Sequence, residues 1–195
     1  MKLESVGIIV SLAPFGERDA VARIFTADYG VMAGMLKGAA VARRRRPLVG
    51  QYGNVSWNAR LESQLGTFHF EPLKNLIAPL MSNPESLNNV NSAFNLITAL
   101  LPERADDAQL FDSTIEFLQT QDYLKWQILF LESIGYALDI SSCGGCGTKD
   151  DLKFISKKTG RTVCGVCGAP YADQIFPLPI TTEITEYFIE RAKEV

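Results

Sequence analysis

The chain has 195 residues, of which 47% are hydrophobic and 21% are charged, and its formal net charge is -3 at pH 7. This length suits one large domain or two to three small ones, and the composition is ordinary for a folded globular protein. The sequence contains no run of about 18 apolar residues that would predict a membrane-spanning helix. Its first residues show no signal-peptide pattern. A cytoplasmic location without membrane attachment is therefore expected.

Charge divides the chain into segments of different sign. Residues 1–60 carry nine Lys or Arg and four acids, whereas residues 61–136 carry three bases and ten acids. Residues 137–195 are nearly balanced, with seven bases and eight acids. Such asymmetry predicts that different segments contact different partners, so the net negative charge does not exclude binding to nucleic acid.

Five short apolar runs in the first eighty residues are bounded by Gly, Pro, Asn or Asp, which is the pattern expected of strands. The predicted strands are residues 6–12, 21–25, 31–36, 55–59 and 67–70. Five strands at this spacing suit a small closed barrel, and the OB-fold is the five-stranded barrel that binds oligonucleotides. Periodicity alone does not distinguish it from an SH3-like barrel. We predict an α+β protein in which residues 1–80 form the OB-fold.

Apolar residues change from strand-like to helical spacing after Asn83-Pro84, a favourable N-cap followed by a favourable first helical residue. The predicted helices are residues 84–101, 106–118, 124–135 and 181–195. The first three predict a helical domain at residues 81–140. The last is expected, within residues 176–195, to pack on that domain.

Four cysteines form two CxxC pairs that are separated by seventeen residues: Cys143, Cys146, Cys164 and Cys167. This spacing predicts one tetrahedral zinc ion, because a two-residue gap lets both thiolates of a pair reach the same metal. Disulfides and free thiols are the alternatives, and disulfides are disfavoured in a reducing cytosol. Four protein sulfurs leave no ligand position open, so the zinc is predicted to be structural, in a module inserted at residues 141–175.

The sequence offers little material for catalysis. His69 is the single histidine, and its place between Phe68 and Phe70 in a predicted strand favours a surface residue. Neither a GxxxxGK[ST] nor a GxGxxG loop is present. We therefore predict that the protein is not an enzyme.

A run of four arginines, Arg43 to Arg46, is the sharpest basic feature of the chain. It lies between the third and fourth predicted strands, close to Lys37. A solvated loop or a localisation-type basic tract is the plain alternative. Basic grooves with aromatic platforms bind single strands, and Trp57 and Phe68 follow in the next strands, although for each residue taken alone a place in the barrel core is favoured. The predicted DNA contacts are Lys37, Arg43, Arg44, Arg45, Arg46, Trp57 and Arg60.

Several ordered motifs give the chain a resemblance to a known family. They are Gly7-Ile8-Ile9-Val10, Gly16-Glu17-Arg18-Asp19, Phe25-Thr26, Gly30, Lys37-Gly38-Ala39, Leu131-Glu132-Ser133-Ile134-Gly135-Tyr136 and Gly168-Ala169-Pro170-Tyr171. In this order they resemble the bacterial recombination mediator family RecO over nearly the whole chain.

The resemblance implies an OB-fold, a helical domain and, in many members, a zinc module. It implies binding of single- and double-stranded DNA, annealing of complementary strands, and help in loading RecA, with a nucleoid-associated location. The implied protein partners are RecR and the acidic C-terminal tail of the single-strand-binding protein. That tail would need a local basic pocket, for which Lys125 is a candidate.

Two hypotheses of different classes remain. The first is a DNA-binding and annealing mediator without a chemical step. The second is a protein–protein adaptor in which the zinc module and the acidic helices dock partners and DNA binding is incidental. Salt-dependent binding to an oligonucleotide separates them, because phosphate contacts release counterions.

Overall fold

The computed structural model describes residues 1–40, 46–61 and 64–194. These residues form two compact units, residues 1–121 and residues 122–195. Among the described residues, no helix combines the length and the apolar character that crossing a bilayer requires.

The first unit contains five strands, a short 3-10 turn (Ala78–Leu80) and two helices. They are β1 (Lys2–Phe15), β2 (Asp19–Thr26), β3 (Gly30–Leu36), β4 (Gln51–Asn58), β5 (Gly66–Asn75), α1 (Pro84–Leu100) and α2 (Ala108–Thr120). The strands close into a barrel in the order β1-β2-β3-β5-β4. All neighbours are antiparallel except β3 and β5, which run parallel. The prediction of a five-stranded OB-fold barrel is confirmed.

Strands β1 and β2 are buried on both faces where their central residues pair. Ile9 pairs with Ile24 across β1 and β2, and both side chains lie in the barrel interior. The next pair along the ladder, Ile8 and Phe25, points to the opposite face because side chains alternate along a strand. Both are fully buried there, and the Phe25 ring meets the edge of Phe111 from α2 with ring centroids 5.4 Å apart. Helices therefore cover the outer face of β1 and β2.

One edge of β3 is completed by a segment from beyond α1. The parallel pairing with β5 extends only from Gly34 to Leu36, so the start of β3 lacks a strand on that side. The backbone N–H of Arg104 donates to the carbonyl of Val31 over 2.9 Å and fills this position. Gly30 has a φ of 62°, and a Cβ there would lie 1.9 Å from the carbonyl oxygen of Ala105. Only glycine fits this approach of the two backbones.

The two helices of the first unit are capped and tied to the barrel. The Asn83 side chain accepts from the backbone N–H groups of Glu85 and Ser86, as its predicted N-cap role requires. In α2 the corresponding cap is Asp107. The guanidinium of Arg23 on β2 donates to the carbonyl of Thr98 in α1 over 2.7 Å.

The second unit contains three helices, a small sheet and a 3-10 segment (Ala169–Gln174). Its elements are α3 (Tyr123–Ser133), β6 (Leu152–Ser156), β7 (Thr162–Cys164), α4 (Gly165–Gly168), β8 (Ile175–Pro177) and α5 (Thr182–Lys193). The sheet has the order β7-β6-β8, in which β6 and β7 form an antiparallel hairpin. Helix α5 packs on α3, where the buried Thr185 hydroxyl lies 2.8 Å from the side-chain oxygen of Gln127.

This division differs from the predicted domain boundaries. The expected helical domain at residues 81–140 does not form one unit: α1 and α2 lie with the barrel, whereas α3 lies with the zinc-type module and α5. The physical reason is the apolar outer face of β1 and β2, which α1 and α2 cover. Helix α5 contacts α3 within the second unit, and its packing on the predicted helical domain stays a prediction.

Candidate functional site

The four cysteines of the two CxxC pairs come together in the second unit. Cys164 ends β7 and Cys167 lies in α4, while Cys143 and Cys146 belong to the loop before β6. Their four Sγ atoms lie within 4.8 Å of one another, and those of Cys146 and Cys164 are 3.8 Å apart. A regular tetrahedron with metal–sulfur bonds of about 2.3 Å has sulfur–sulfur edges of about 3.8 Å. The donor set and its spacing therefore fit a tetrahedral thiophilic ion such as zinc.

Backbone N–H groups surround these sulfurs. The Sγ of Cys143 accepts from the backbone N–H groups of Gly145 and Cys164, each over 3.4 Å. The Sγ of Cys164 accepts from the N–H of Cys167 over 3.5 Å. Donors to sulfur stabilise the thiolate, and those from Cys164, Cys146 and Gly145 lower the pKa of the Cys143 thiol to about 6. Hydrogen bonding of its thiol with the side chains of Cys164, Cys146 and Cys143 instead raises the pKa of Cys167 to about 12. A dication at their centre would favour the thiolate form of all four.

The predicted basic contacts lie on the connections of the barrel. Lys37, Arg46 and Arg60 are exposed, the first two between β3 and β4 and the third after β4. Arg43, Arg44 and Arg45 lie outside the described residues. The turn that follows Lys37 is held in place, because the N–H of Gly38 donates to the Asp19 carboxylate over 2.8 Å.

This turn also brings in a cation that the sequence interpretation missed. The backbone N–H of Ala40 donates to the carbonyl of Arg18 over 2.9 Å, which places the β1–β2 turn beside the start of the β3–β4 connection. Arg18 is exposed. The signal in the sequence that could have indicated Arg18 is the charged turn at Gly16 to Asp19. Taken alone, such a turn indicates only a solvated loop.

Comparison with known proteins identifies the family. The family model described as "Recombination protein O N terminal" matches residues 1–76, and "Recombination protein O C terminal" matches residues 82–189. A DNA repair protein RecO from Ruegeria sp. (strain TM1040) is 35% identical over 183 residues, which cover 89% of this chain and 76% of the relative. Its counterpart from Brucella abortus (strain 2308) is 34% identical over 189 residues, covering 92% and 76%. The chain belongs to the RecO family.

Membership places the chain among DNA repair and recombination proteins. A third relative, the RecO protein of Cereibacter sphaeroides (strain ATCC 17023), is 33% identical over 189 residues, covering 92% of this chain and 79% of that protein. The family resemblance inferred from the ordered motifs is thus confirmed over both units.

The two aromatic residues considered for base stacking lie in the core of this RecO-family barrel. Trp57 is 1% exposed and Phe68 is 4% exposed. The indole N–H of Trp57 donates to the carbonyl of Ala33 over 3.1 Å, and the Arg104 guanidinium lies 4.6 Å from the ring centroid. A ring covered in this way has no face open to a base, so the assignment of Trp57 as a DNA contact is corrected to a core role.

Proposed function

We propose that this chain is a recombination mediator without a chemical step, which binds single-stranded DNA, anneals complementary strands and helps to load RecA. Double-stranded DNA is a further expected ligand. The observation that carries the proposal is the set of exposed cations on the connections of an OB-fold barrel in a chain of the RecO family. The described members of this set are Arg18, Lys37, Arg46 and Arg60.

The barrel carries its cations on exposed loops and buries the aromatic residues Trp57 and Phe68, and this arrangement favours DNA binding through phosphate contacts. Lys and Arg contacts to phosphates position a protein on a strand but do not read its bases. Since Trp57 and Phe68 are buried, the barrel's contribution rests on these charges. Binding of this kind is independent of sequence, which suits a protein that must pair any two complementary strands.

The basic run supplies the direct test. Replacing all four of Arg43 to Arg46 with Ala should flatten the slope of log affinity against log salt for a single strand. Each phosphate contact contributes about 0.7 to that slope. If three of the four arginines contact phosphates, their loss should change the slope by about 2. The measurement is a fluorescence titration of labelled oligonucleotides of several sequences at three salt concentrations. The loss should be similar for every sequence.

The matched control replaces the same four arginines with Lys. It keeps the charge, and lysine is itself a phosphate ligand, so most of the salt slope should remain. Circular dichroism establishes that both variants are folded. An unchanged slope in the Ala variant would show that the arginines form a solvated loop, and the adaptor hypothesis would then be preferred.

We further propose that the four cysteines hold one structural zinc ion. The sulfur-only donor set suits zinc, and four protein ligands leave no position for substrate. Its role would be to hold the loop before β6 against β7 and α4.

RecR and the acidic tail of the single-strand-binding protein are the proposed protein partners. The first unit exposes the acids Glu103, Asp106 and Asp112, which suit a basic partner surface. The acidic tail requires a basic surface instead, and Lys125 is exposed on α3.

We expect Asp106→Asn combined with Asp112→Asn to weaken RecR binding about 2- to 5-fold at low salt, and less at high salt, as exposed ion pairs do. Surface plasmon resonance with purified RecR measures this effect. Glu186→Gln in α5 removes a similar exposed charge from the second unit and should change nothing. Equal loss in both variants, or no binding to RecR by the unaltered chain, would contradict the assignment.

A further inference from the structure

A cavity of about 410 Å³ adjoins the cysteine cluster in the second unit. Backbone and side chains of the cysteine loops form one wall, including Gly145 and Cys167, and Val163 of β7 contributes an apolar surface. Its remaining lining includes Lys158, Arg161 and Tyr171. We call it the knuckle cavity. Its volume lies in the range of about 300–1,000 Å³ that is typical of small-ligand sites.

Two cations line the knuckle cavity, Lys158 and Arg161, and contacts with the surrounding chain position both of them. Arg191 of α5 donates to the carbonyl oxygens of Lys157 and Lys158, which holds the tip of the β6–β7 hairpin. Across the described part of the chain, the exposed Lys158 ammonium has no carboxylate partner. Arg161 binds a single oxygen of Asp139 through Nε and Nη2, over 3.2 and 3.1 Å, which leaves other guanidinium N–H groups available. Both cations can therefore receive an anionic group.

Tyr171 supplies an aromatic surface in the same cavity. It is 55% exposed, in contrast to the buried Trp57 and Phe68 of the barrel. It lies in the 3-10 segment directly after the second cysteine pair, at the point where the backbone departs from helical geometry (φ -123°, ψ 32°). An exposed ring beside lysine and arginine is the combination on which single-stranded nucleic acids stack.

The strand that borders the cavity cannot accept a peptide by β-addition. One edge of β7 pairs with β6. On the other, Thr162 donates through its N–H to the Asp139 carbonyl over 2.9 Å and accepts from the N–H of Gly144 over 2.8 Å. Because both edges are occupied, recognition at this cavity depends on the ring and the two cations, which favours a nucleotide over an extended peptide.

We propose that the knuckle cavity binds one nucleotide of a single DNA strand, with the base against Tyr171 and the flanking phosphates on Lys158 and Arg161. This inference rests on the proposed DNA-binding function and extends it from the barrel to the second unit. The cavity depends on the cysteine loops, so the metal that holds them would also shape the nucleotide site.

Tyr171→Ala is expected to lower affinity for a labelled oligo-dT by about 5- to 150-fold, with the salt slope unchanged, because stacking is not an ionic contact. Tyr171→Phe keeps the ring and should stay within about twofold of the unaltered chain. Lys158→Ala should flatten the slope by about 0.7. Its matched control is Lys149→Ala, which removes an exposed lysine outside the cavity lining and should leave the slope unchanged.

Photocrosslinking locates the contact. An oligonucleotide with 5-iodouracil should crosslink to Tyr171, as found by mass spectrometry of the digested full chain with its metal bound. Binding that is unaffected in Tyr171→Ala, with no crosslink, overturns this inference but leaves the barrel function standing. Displacement of the crosslink by an acidic peptide that itself requires Tyr171 identifies a peptide site and also overturns it. Failure of the unaltered chain to bind any oligonucleotide overturns both proposals.

Discussion

Replacing Cys164 with Ser should release the bound zinc and unfold residues 140–175, while the first unit stays folded. The sheet of this module has three short strands, and Ile155 and Thr162 are its fully buried sheet residues in the described structure. So small a core contributes little stability by itself. Apparent binding free energies of structural zinc are about 10–16 kcal/mol, and in such modules this energy is folding energy.

Elemental analysis and hydrogen exchange measure this result. The unaltered protein should contain one equivalent of zinc, and the Cys164→Ser variant much less. Amide protection should disappear across β6, β7 and β8 but persist in the barrel strands. A chelator should reproduce the loss, and added zinc should reverse it only in the unaltered chain. Thr148→Ser, a change in the same loop that spares the sulfurs, should retain both metal and protection. Absence of metal from fresh, reduced protein would refute the zinc site.

Trp57→Ala should destabilise the first unit by about 3–5 kcal/mol, the cost typical of removing a large buried aromatic residue. Trp57 on β4 lies opposite Leu3 of the neighbouring strand β1 and opposite Phe68 of the neighbouring strand β5. Its removal also leaves the carbonyl of Ala33 without the indole donor. Gly66 shows how closely the ring is enclosed, since a Cβ there would lie 2.1 Å from the indole.

Urea unfolding of the first unit measures the change. Leu61→Ala is the matched control, because Leu61 is an apolar residue soon after β4 that is 57% exposed, and its truncation should cost little. At temperatures where Trp57→Ala remains folded, its salt slope for DNA should equal that of the unaltered chain. A stable variant with reduced affinity would instead restore the stacking role that burial argues against.

Local patterns in the sequence predicted much of the fold. Strand runs bounded by turn residues, the Asn83-Pro84 helix start and the CxxC spacing are decided by neighbouring residues, and the structure contains all of them. Predicted limits moved by a few residues: α2 begins at Ala108 rather than at residue 106, and α5 ends at Lys193. Strand β8 was not predicted, because it has three residues and ends in a proline.

Features that depend on distant pairing could not be predicted in the same way. Strand periodicity shows that Trp57 and Val55 lie on the same face of β4. Whether that face is the barrel interior is decided only by the pairing of β4 with β1 and β5. The exposure of Tyr171 beside Lys158 could not be predicted either, because it depends on how the two cysteine loops fold. The boundary near residue 121 depends on which sheet face α1 and α2 cover. No local sequence pattern indicates which sheet face these two helices cover.

The contact between Arg104 and Val31 has a consequence for the order in which the protein acquires its structure during synthesis. A ribosome releases all five barrel strands before it releases residues 103–105, which complete the edge of β3. Until then, the carbonyl of Val31 lacks its partner and Trp57 lacks the covering guanidinium. The nascent barrel should therefore stay loosely formed until α1 and the segment after it have emerged, and then consolidate with them in one step. The match to the N-terminal family model ends at residue 76, but the compact unit extends to residue 121.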